Sequence, residues 1–152
     1  MEEEQHIRFM QEALKEAQRA FDDDEIPIGA VVVLKSRIIA RGHNQTERLH
    51  DVTAHAEMIA ITSAANHLGS KFLDECSMYI TVEPCLMCTG ALYWSRIPNI
   101  YYGASDNLFG YTQFNKNIFG EKVNVHSGLL KDECAALMLD FFKKKRELDD
   151  LI

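Results

Sequence analysis

From Ser77 to Cys88 the chain reads SMYITVEPCLMC, an apolar, β-branched run followed directly by the start of a helix. The run over residues 77–82 predicts a buried strand. Pro84 suits the first turn of a helix, where its missing N–H would have no partner in any case, so we expect a helix over residues 85–95. A buried strand that leads into a helix is typical of an α/β fold, and here it brings both cysteines of the run to the helix start.

The rest of the chain shows the same alternation of strands and helices. Further strands are predicted at residues 29–34, 37–41, 99–103 and 123–126, and further helices at residues 5–21, 54–67 and 132–149. Thr53 is the expected N-cap of the second helix, and Gly69 its expected end. Residues 105–121 are rich in Gly, Asn and aromatic residues and are expected to be irregular. This order predicts a three-layer α/β/α sandwich around a mixed five-stranded sheet, formed by one domain over residues 1–152.

The composition excludes several classes of protein. The chain has a formal net charge of -7 and 47% hydrophobic residues, which argues against a protein coated with basic residues for gripping nucleic acid. One local basic run occurs, at residues 143–146. No apolar run is long enough for a membrane span, and the acidic N-terminus, MEEEQ, is not a secretory signal, so we expect a cytoplasmic protein.

His55, Cys85 and Cys88 form a predicted metal site. One imidazole and two thiolates suit Zn²⁺, and three protein ligands leave the fourth position open, as catalytic zinc sites do and structural sites usually do not. The two cysteines are three residues apart, so a helix places them on one face. Helix N-termini also favour thiolate. The sequence therefore predicts one catalytic zinc ion per chain.

Glu57, two residues after His55, is the predicted catalytic group. Zinc held by three ligands lowers the pKa of its bound water to about 7. We expect Glu57 not to bind the metal but to take the proton of that water and pass it to the ring nitrogen and the leaving ammonia. The pattern His-x-Glu followed by Pro-Cys-x-x-Cys is the signature of zinc-dependent nucleobase deaminases. The predicted reaction is hydrolytic deamination of a heterocycle.

These motifs resemble those of the cytidine deaminase-like superfamily, and within it those of the bacterial tRNA-specific adenosine deaminases. The resemblance extends over nearly the whole chain. It rests on the segments at residues 24–32, 42–44, 53–57, 81–91, 102–106 and 132–142. It implies a homodimer that converts adenosine to inosine at the tRNA wobble position, with the anticodon loop splayed and the target base flipped into the pocket.

The same resemblance implies the substrate contacts. Asn44 would hydrogen-bond the base, Ile26 would pack against it, and Asp106 would touch the preceding nucleotide. Ala56 and Glu83 would contribute backbone groups to the pocket. After Asp106 the family commonly has a lysine and a small Gly/Ala stretch, whereas this chain has Asn-Leu-Phe-Gly-Tyr, so the contacts of this loop are open.

Two alternatives remain at this point. A free nucleobase or nucleoside deaminase acting on guanine, cytosine or adenine would share the zinc motif, and the acidic charge and the unusual loop favour it. A non-catalytic zinc module would bind only RNA or a partner, but such a module has no use for Glu57. The basic residues 143–146 are either phosphate contacts or a solvated helix end. Of the adjacent Phe141 and Phe142, one is expected in the core.

Overall fold

The computed structural model of the chain describes residues 2–151, so the two ends of the predicted domain, Met1 and Ile152, lie outside the described residues. The elements are α1 (Glu3–Asp22), β1 (Gly29–Leu34), β2 (Arg37–His43), α2 (Ala56–Leu68), β3 (Cys76–Val82), α3 (Leu86–Ser95), β4 (Asn99–Ala104), β5 (Asn124–Ser127) and α4 (Lys131–Asp149). A short 3₁₀ turn covers Tyr111–Gln113. Every predicted strand and helix is confirmed, and none of their ends moves by more than two residues.

The five strands form one mixed sheet in the order β2-β1-β3-β4-β5, which confirms the predicted sheet. β1 pairs antiparallel with β2 and with β3, whereas β3–β4 and β4–β5 are parallel pairs. The end of β2, the start of β1 and the ends of β3 and β4 therefore meet at one edge of the sheet. This edge carries the functional residues.

Both faces of the sheet are covered, which explains why β1 is apolar throughout. Ala30 and Val32 pack in a core with residues of α2 and α3, such as Ala60 and Leu92. The alternate residues Val31 and Val33 pack in a second core with residues of α1 and α4, among them Met10 and Cys134. Successive strand residues point to opposite faces, so the chain forms the predicted three-layer sandwich. Within residues 2–151 no helix combines the length and apolar character that a membrane crossing needs.

The predicted cap of α2 is wrong. α2 begins at Ala56, and its N-cap position is held by His55, which is extended at φ -75° and ψ 155°. Thr53 instead forms a local turn, in which its N–H and its hydroxyl both donate to Oδ1 of Asp51, at 2.8 and 2.7 Å. A threonine satisfied by its own loop does not cap a helix. The predicted end is confirmed, since Gly69 is in the left-handed region at φ 65°.

Pro84 is also placed differently from the prediction. α3 begins at Leu86 with Cys85 at its N-cap, so Pro84 precedes the helix rather than lying in its first turn. The reason is a pairing with a distant loop. Pro84 accepts the N–H of Tyr111 at 3.0 Å, and Cys85 forms an isolated β-bridge with Gly110. These contacts keep the segment extended until Cys85.

Candidate active site

The starts of α2 and α3 meet at the edge of the sheet where β3 ends. His55 is the N-cap of α2, Cys85 is the N-cap of α3, and Cys88 lies in the first turn of α3. Neither N-cap side chain makes a capping hydrogen bond. Both side chains therefore point to a shared space, into which two helix N-termini direct partial positive charge.

The three predicted ligand atoms lie within reach of one ion. His55 Nδ1 lies 3.6 Å from Cys85 Sγ and 3.5 Å from Cys88 Sγ, and all three atoms lie within 4.8 Å of one another. Zinc bonds of about 2.0 Å to nitrogen and 2.3 Å to sulfur place tetrahedral ligand atoms roughly 3.5–3.8 Å apart. The distances to the imidazole match this arrangement, so the residues fit zinc.

The protonation of this cluster also suits a metal site. A hydrogen bond from the Cys88 thiol, together with contact to His55, lowers the pKa of Cys85 to about 4. The Cys85 sulfur in turn raises the pKa of Cys88 and of His55. These shifts favour a thiolate at Cys85 and protons on Cys88 and His55. A divalent cation bound there would displace those protons, because metal ligation requires deprotonated thiols and a neutral imidazole.

Glu57 lies in the first turn of α2 with its side chain buried against this cluster. The residue is 3% exposed, and among the described residues its Oε1 has no hydrogen-bond partner. Burial raises the pKa of Glu57 to about 7. A nearby cation acts in the opposite direction by favouring the carboxylate. A buried carboxyl group with an uncommitted oxygen beside three metal-ligating atoms is suited to proton transfer.

The predicted substrate residues Asn44 and Ile26 are brought together beside His55. Asn44 is 5% exposed, and its Nδ2 donates to the Ile26 carbonyl at 3.3 Å, while its Oδ1 accepts the N–H of Thr46 at 3.3 Å. The next residue, Gln45, donates its N–H to Ala54, which precedes His55. Ile26 exposes 38% of its surface. Asn44 and Ile26, here called the wall, therefore contact each other next to a segment that hydrogen-bonds the residue before His55.

Ala56, Glu83 and Asp106 complete the predicted set. Ala56 is fully buried as the first residue of α2. Glu83 is 4% exposed, and its side chain accepts the N–H of Asp106 at 3.3 Å. Oδ1 of Asp106 accepts the N–H groups of Leu108 and Phe109, each at 3.0 Å. The Asp106 side chain thus caps its own loop through Oδ1.

Glu25, the residue before Ile26, is buried, and the sequence did not predict a role for it. It is 1% exposed, and its two carboxylate oxygens accept the N–H groups of Glu47 and Arg48, at 2.9 and 2.8 Å. It thereby ties the loop after Asn44 to the segment that carries Ile26. In the sequence Glu25 ends the acidic run at residues 22–25, where it looks like its solvated neighbours, so the local pattern gave no sign of its burial or of its partners.

The C-terminal basic run is only partly available to a ligand. Lys145 forms an ion pair with Asp24 at 2.6 Å, while Lys143, Lys144 and Arg146 are exposed. Phe141 is 5% exposed and packs edge-on against Phe21, which confirms that one of the two phenylalanines is in the core. Phe142 is 40% exposed.

Comparison with known proteins agrees with this site. The cytidine and deoxycytidylate deaminase zinc-binding region matches residues 3–104. A tRNA-specific adenosine deaminase of Streptococcus pyogenes serotype M18 (strain MGAS8232) is 43% identical over 95% of this chain and 94% of its own. A solved tRNA:A34 deaminase is 43% identical and superimposes with a TM-score of 0.80 over 86% of this chain and 98% of its own.

A solved guanine deaminase of Bacillus subtilis is 37% identical and superimposes with a TM-score of 0.65 over 73% of this chain and 74% of its own. The matched family region is a zinc-binding one, and His55, Cys85 and Cys88 all lie within its matched residues. Zinc is therefore the cofactor. The chain belongs to the zinc-dependent cytidine and deoxycytidylate deaminase family, in the branch of the tRNA-specific adenosine deaminases.

Proposed function

We propose that this protein is a cytoplasmic enzyme that deaminates adenosine to inosine at the wobble position of a tRNA anticodon. The buried Glu57 beside the ligand set of His55, Cys85 and Cys88 supports the deamination chemistry. The 43% identity over 95% of the chain with a tRNA-specific adenosine deaminase supports the substrate, and it is the observation that carries the proposal.

The residues of the site divide the chemistry between them. When bound by His55, Cys85 and Cys88, zinc acidifies water and so supplies a nucleophile near neutral pH. Glu57 would accept one proton from that water and deliver it to the ring nitrogen, and would then carry the second proton of the same oxygen to the amino group, which leaves as ammonia. Its burial keeps competing solvent away from the carboxyl group, so that the proton moves only between water, Glu57 and the base.

The wall formed by Asn44 and Ile26 orients the flipped base. Ile26 packs on one side of the ring, and Asn44 exchanges its present partners for the base edge. This exchange costs little, because both hydrogen bonds of the amide are long, at 3.3 Å. Ala56 and Glu83 present backbone groups to the ring, and Asp106 faces the preceding nucleotide with Oδ2, since its Oδ1 caps the loop.

We also propose that the enzyme is a homodimer that buries the exposed end of α3. Tyr93 and Trp94 are 53% and 76% exposed, and they border a cavity of about 810 Å³. Exposed aromatic patches of this kind mark interfaces. Trp94→Glu should therefore yield a monomer in sedimentation, with Val52→Glu as the exposed control. A Trp94→Glu protein that sediments as wild type does would place the interface elsewhere.

A free-nucleobase deaminase is the second candidate. The observation that favours it is the 37% identity with a solved guanine deaminase. A small base would fill the same pocket without any contact to the loops or to the basic C-terminus. The two candidates therefore differ in whether the surroundings of the pocket contribute to binding.

A deamination assay distinguishes the two candidates. The purified protein is offered an anticodon stem-loop with adenosine at the wobble position and, separately, free guanine, cytosine and adenine, with Glu57→Ala as the blank. Inosine in the stem-loop alone supports the tRNA enzyme. Turnover of a free base alone would overturn the proposed substrate while leaving the zinc chemistry in place.

A further inference from the structure

The Glu83 side chain connects the metal-binding turn to the loop at residues 106–112. Its Oε1 accepts the N–H of Asp106 at 3.3 Å, and its Oε2 accepts the N–H and the hydroxyl of Thr112, at 3.0 and 2.8 Å. One buried carboxylate thus holds both ends of the loop. Such charge-assisted hydrogen bonds are stronger than neutral ones, particularly where water is excluded. Cys85, the metal ligand, is only two residues away in the chain.

Backbone contacts dock the same loop on the metal-binding turn. Tyr111 donates its N–H to Pro84 at 3.0 Å, and Gly110 forms a β-bridge with Cys85. Gly110 leaves no room for a side chain, because a Cβ there would collide with the Glu83 carboxylate and lie 2.5 Å from the Asp106 carbonyl oxygen. The loop is therefore packed directly on the Glu83 carboxylate.

The exposed part of this loop is apolar. Leu108 and Phe109 are 75% and 67% exposed, and Oδ1 of Asp106 holds the N–H groups of both. They immediately precede Gly110, which forms the β-bridge with Cys85, so these two residues, here called the rim, lie one and two positions from the contact with the metal-binding turn. Unpaired bases stack on exposed aromatic side chains, and a rim that is already ordered loses less entropy when it binds them.

We propose that Glu83 is a positioning residue whose buried carboxylate fastens the 106–112 loop to the metal-binding turn and so presents Leu108 and Phe109 to the unpaired bases beside the target nucleotide. This rests on the proposed RNA substrate. It assigns the side chain of Glu83 a task separate from its backbone, and it explains how a loop without the family's lysine still contributes to binding, through apolar contact instead of charge.

The fastening is tested first without turnover. Glu83→Gln keeps one acceptor oxygen and turns an amide N–H₂ toward an N–H donor, while Thr112→Val removes only the hydroxyl donor. Hydrogen exchange of the Leu108, Phe109 and Thr112 amides should accelerate about tenfold in Glu83→Gln, the effect of losing one such hydrogen bond, and less in Thr112→Val. Gln113→Ala, exposed in the same turn, is the control and should leave exchange unchanged. Zinc content should equal that of the wild type in all three.

The role in binding is tested by a double-mutant cycle on the anticodon stem-loop. Two variants are compared: Glu83→Gln, and a rim variant that combines Leu108→Ser with Phe109→Ser. Each should raise KM about tenfold, the size of one lost stacking contact, with a smaller change in kcat. If Glu83 acts through the rim, adding Glu83→Gln to the rim variant should raise KM little further. A purely stabilising residue would instead lower Tm and give multiplicative effects.

Several outcomes would overturn the proposal. Unchanged amide exchange in Glu83→Gln is one, and fully multiplicative effects on KM in the cycle are another. A third is a rim variant that becomes monomeric while its KM stays the same, because that result would assign the rim to contact with a second copy of the chain. Failure of the wild type to act on the stem-loop would instead reject the RNA substrate, and the exchange measurement would still report whether Glu83 holds the loop.

Discussion

Nδ1 of His55 lies 3.5 Å from Sγ of Cys88, although 33 residues separate the two in the chain. The contact joins the N-terminus of α2 to the first turn of α3 across the end of β3. A metal that bridges these atoms therefore cross-links the starts of the two helices. Zinc binding and folding of this edge should be coupled.

Removal of one ligand should remove the metal and weaken the fold. His55→Ala and Cys88→Ala should each lose zinc and lower Tm by at least about 4 °C, because the remaining ligands cannot hold the ion that joins the helices. Metal analysis and thermal unfolding provide the measurements. Cys76→Ala, which alters a buried cysteine of β3 outside the site, should keep its zinc. Stoichiometric zinc in either ligand variant would contradict the assignment.

Replacement of Glu57 should separate chemistry from metal binding. Glu57→Gln keeps the shape of the side chain but cannot shuttle a proton, so kcat should fall at least about 100-fold, the usual contribution of a general acid–base group. Zinc content should match the wild type, because the three grouped ligand atoms belong to His55, Cys85 and Cys88 and not to Glu57. Glu75→Gln, at an exposed position, is the control. Full activity in Glu57→Gln would show the proposed proton path to be wrong.

Neutralising the exposed basic residues of α4 should weaken tRNA binding. Changing Lys143, Lys144 and Arg146 together to Gln should lower affinity for tRNA and reduce the salt dependence by about one unit of slope for each lost phosphate contact. Lys145 is left unchanged because it pairs with Asp24.

The control for this variant is Lys35→Gln with Arg37→Gln. These residues are exposed at the β1–β2 turn, at the edge of the sheet opposite the metal site. Their loss should leave the salt slope unchanged. Equal slopes in the α4 variant and the wild type would remove the C-terminal residues from the binding surface.

Two glycine substitutions should change stability in opposite directions. A Cβ on Gly29 would collide with backbone atoms of Ala13 and Ala17 in α1, so Gly29→Ala should cost about 1–3 kcal/mol in the free energy of unfolding. Nothing lies within 4 Å of a Cβ on Gly90 inside α3, so Gly90→Ala should stabilise by about 0.5–1 kcal/mol. Denaturant titrations at one protein concentration measure both. A Gly29→Ala protein as stable as the wild type would contradict the packing of α1 on β1, and a destabilised Gly90→Ala protein would contradict the open space beside Gly90.

His6 should make the stability depend on pH. Burial lowers the pKa of His6 and raises that of Tyr79, and a 2.6 Å hydrogen bond joins Nδ1 of His6 to the Tyr79 hydroxyl. The unfolded chain therefore binds a proton at higher pH than the folded chain does. The contribution of neutral His6 to the free energy of unfolding is fully present above the ordinary histidine pKa. It is lost as the pH falls through the lowered pKa of the folded state. The difference in unfolding free energy between wild type and His6→Gln should shrink over that range, and a constant difference would exclude the effect.

The helices, strands and zinc-ligating groups could be predicted from local pattern alone. Residues 29–34 are apolar without interruption, and α1 has an apolar residue every three or four positions. The spacing of these apolar residues therefore predicts a buried strand and an amphipathic helix. The spacings within His55-Ala56-Glu57 and within Cys85-x-x-Cys88 are likewise local. A resemblance to known deaminases then supplied the expected partners of these groups.

Only folding in three dimensions revealed which acidic residues are buried and what they hold. Glu25 bonds amides 22 and 23 residues away, and Glu83 bonds groups 23 and 29 residues away. A carboxylate that will be solvated and one that will be buried are the same letter in a sequence. What distinguishes them is the donors that other loops bring to them, and that meeting depends on the order and direction of the strands at one edge of the sheet.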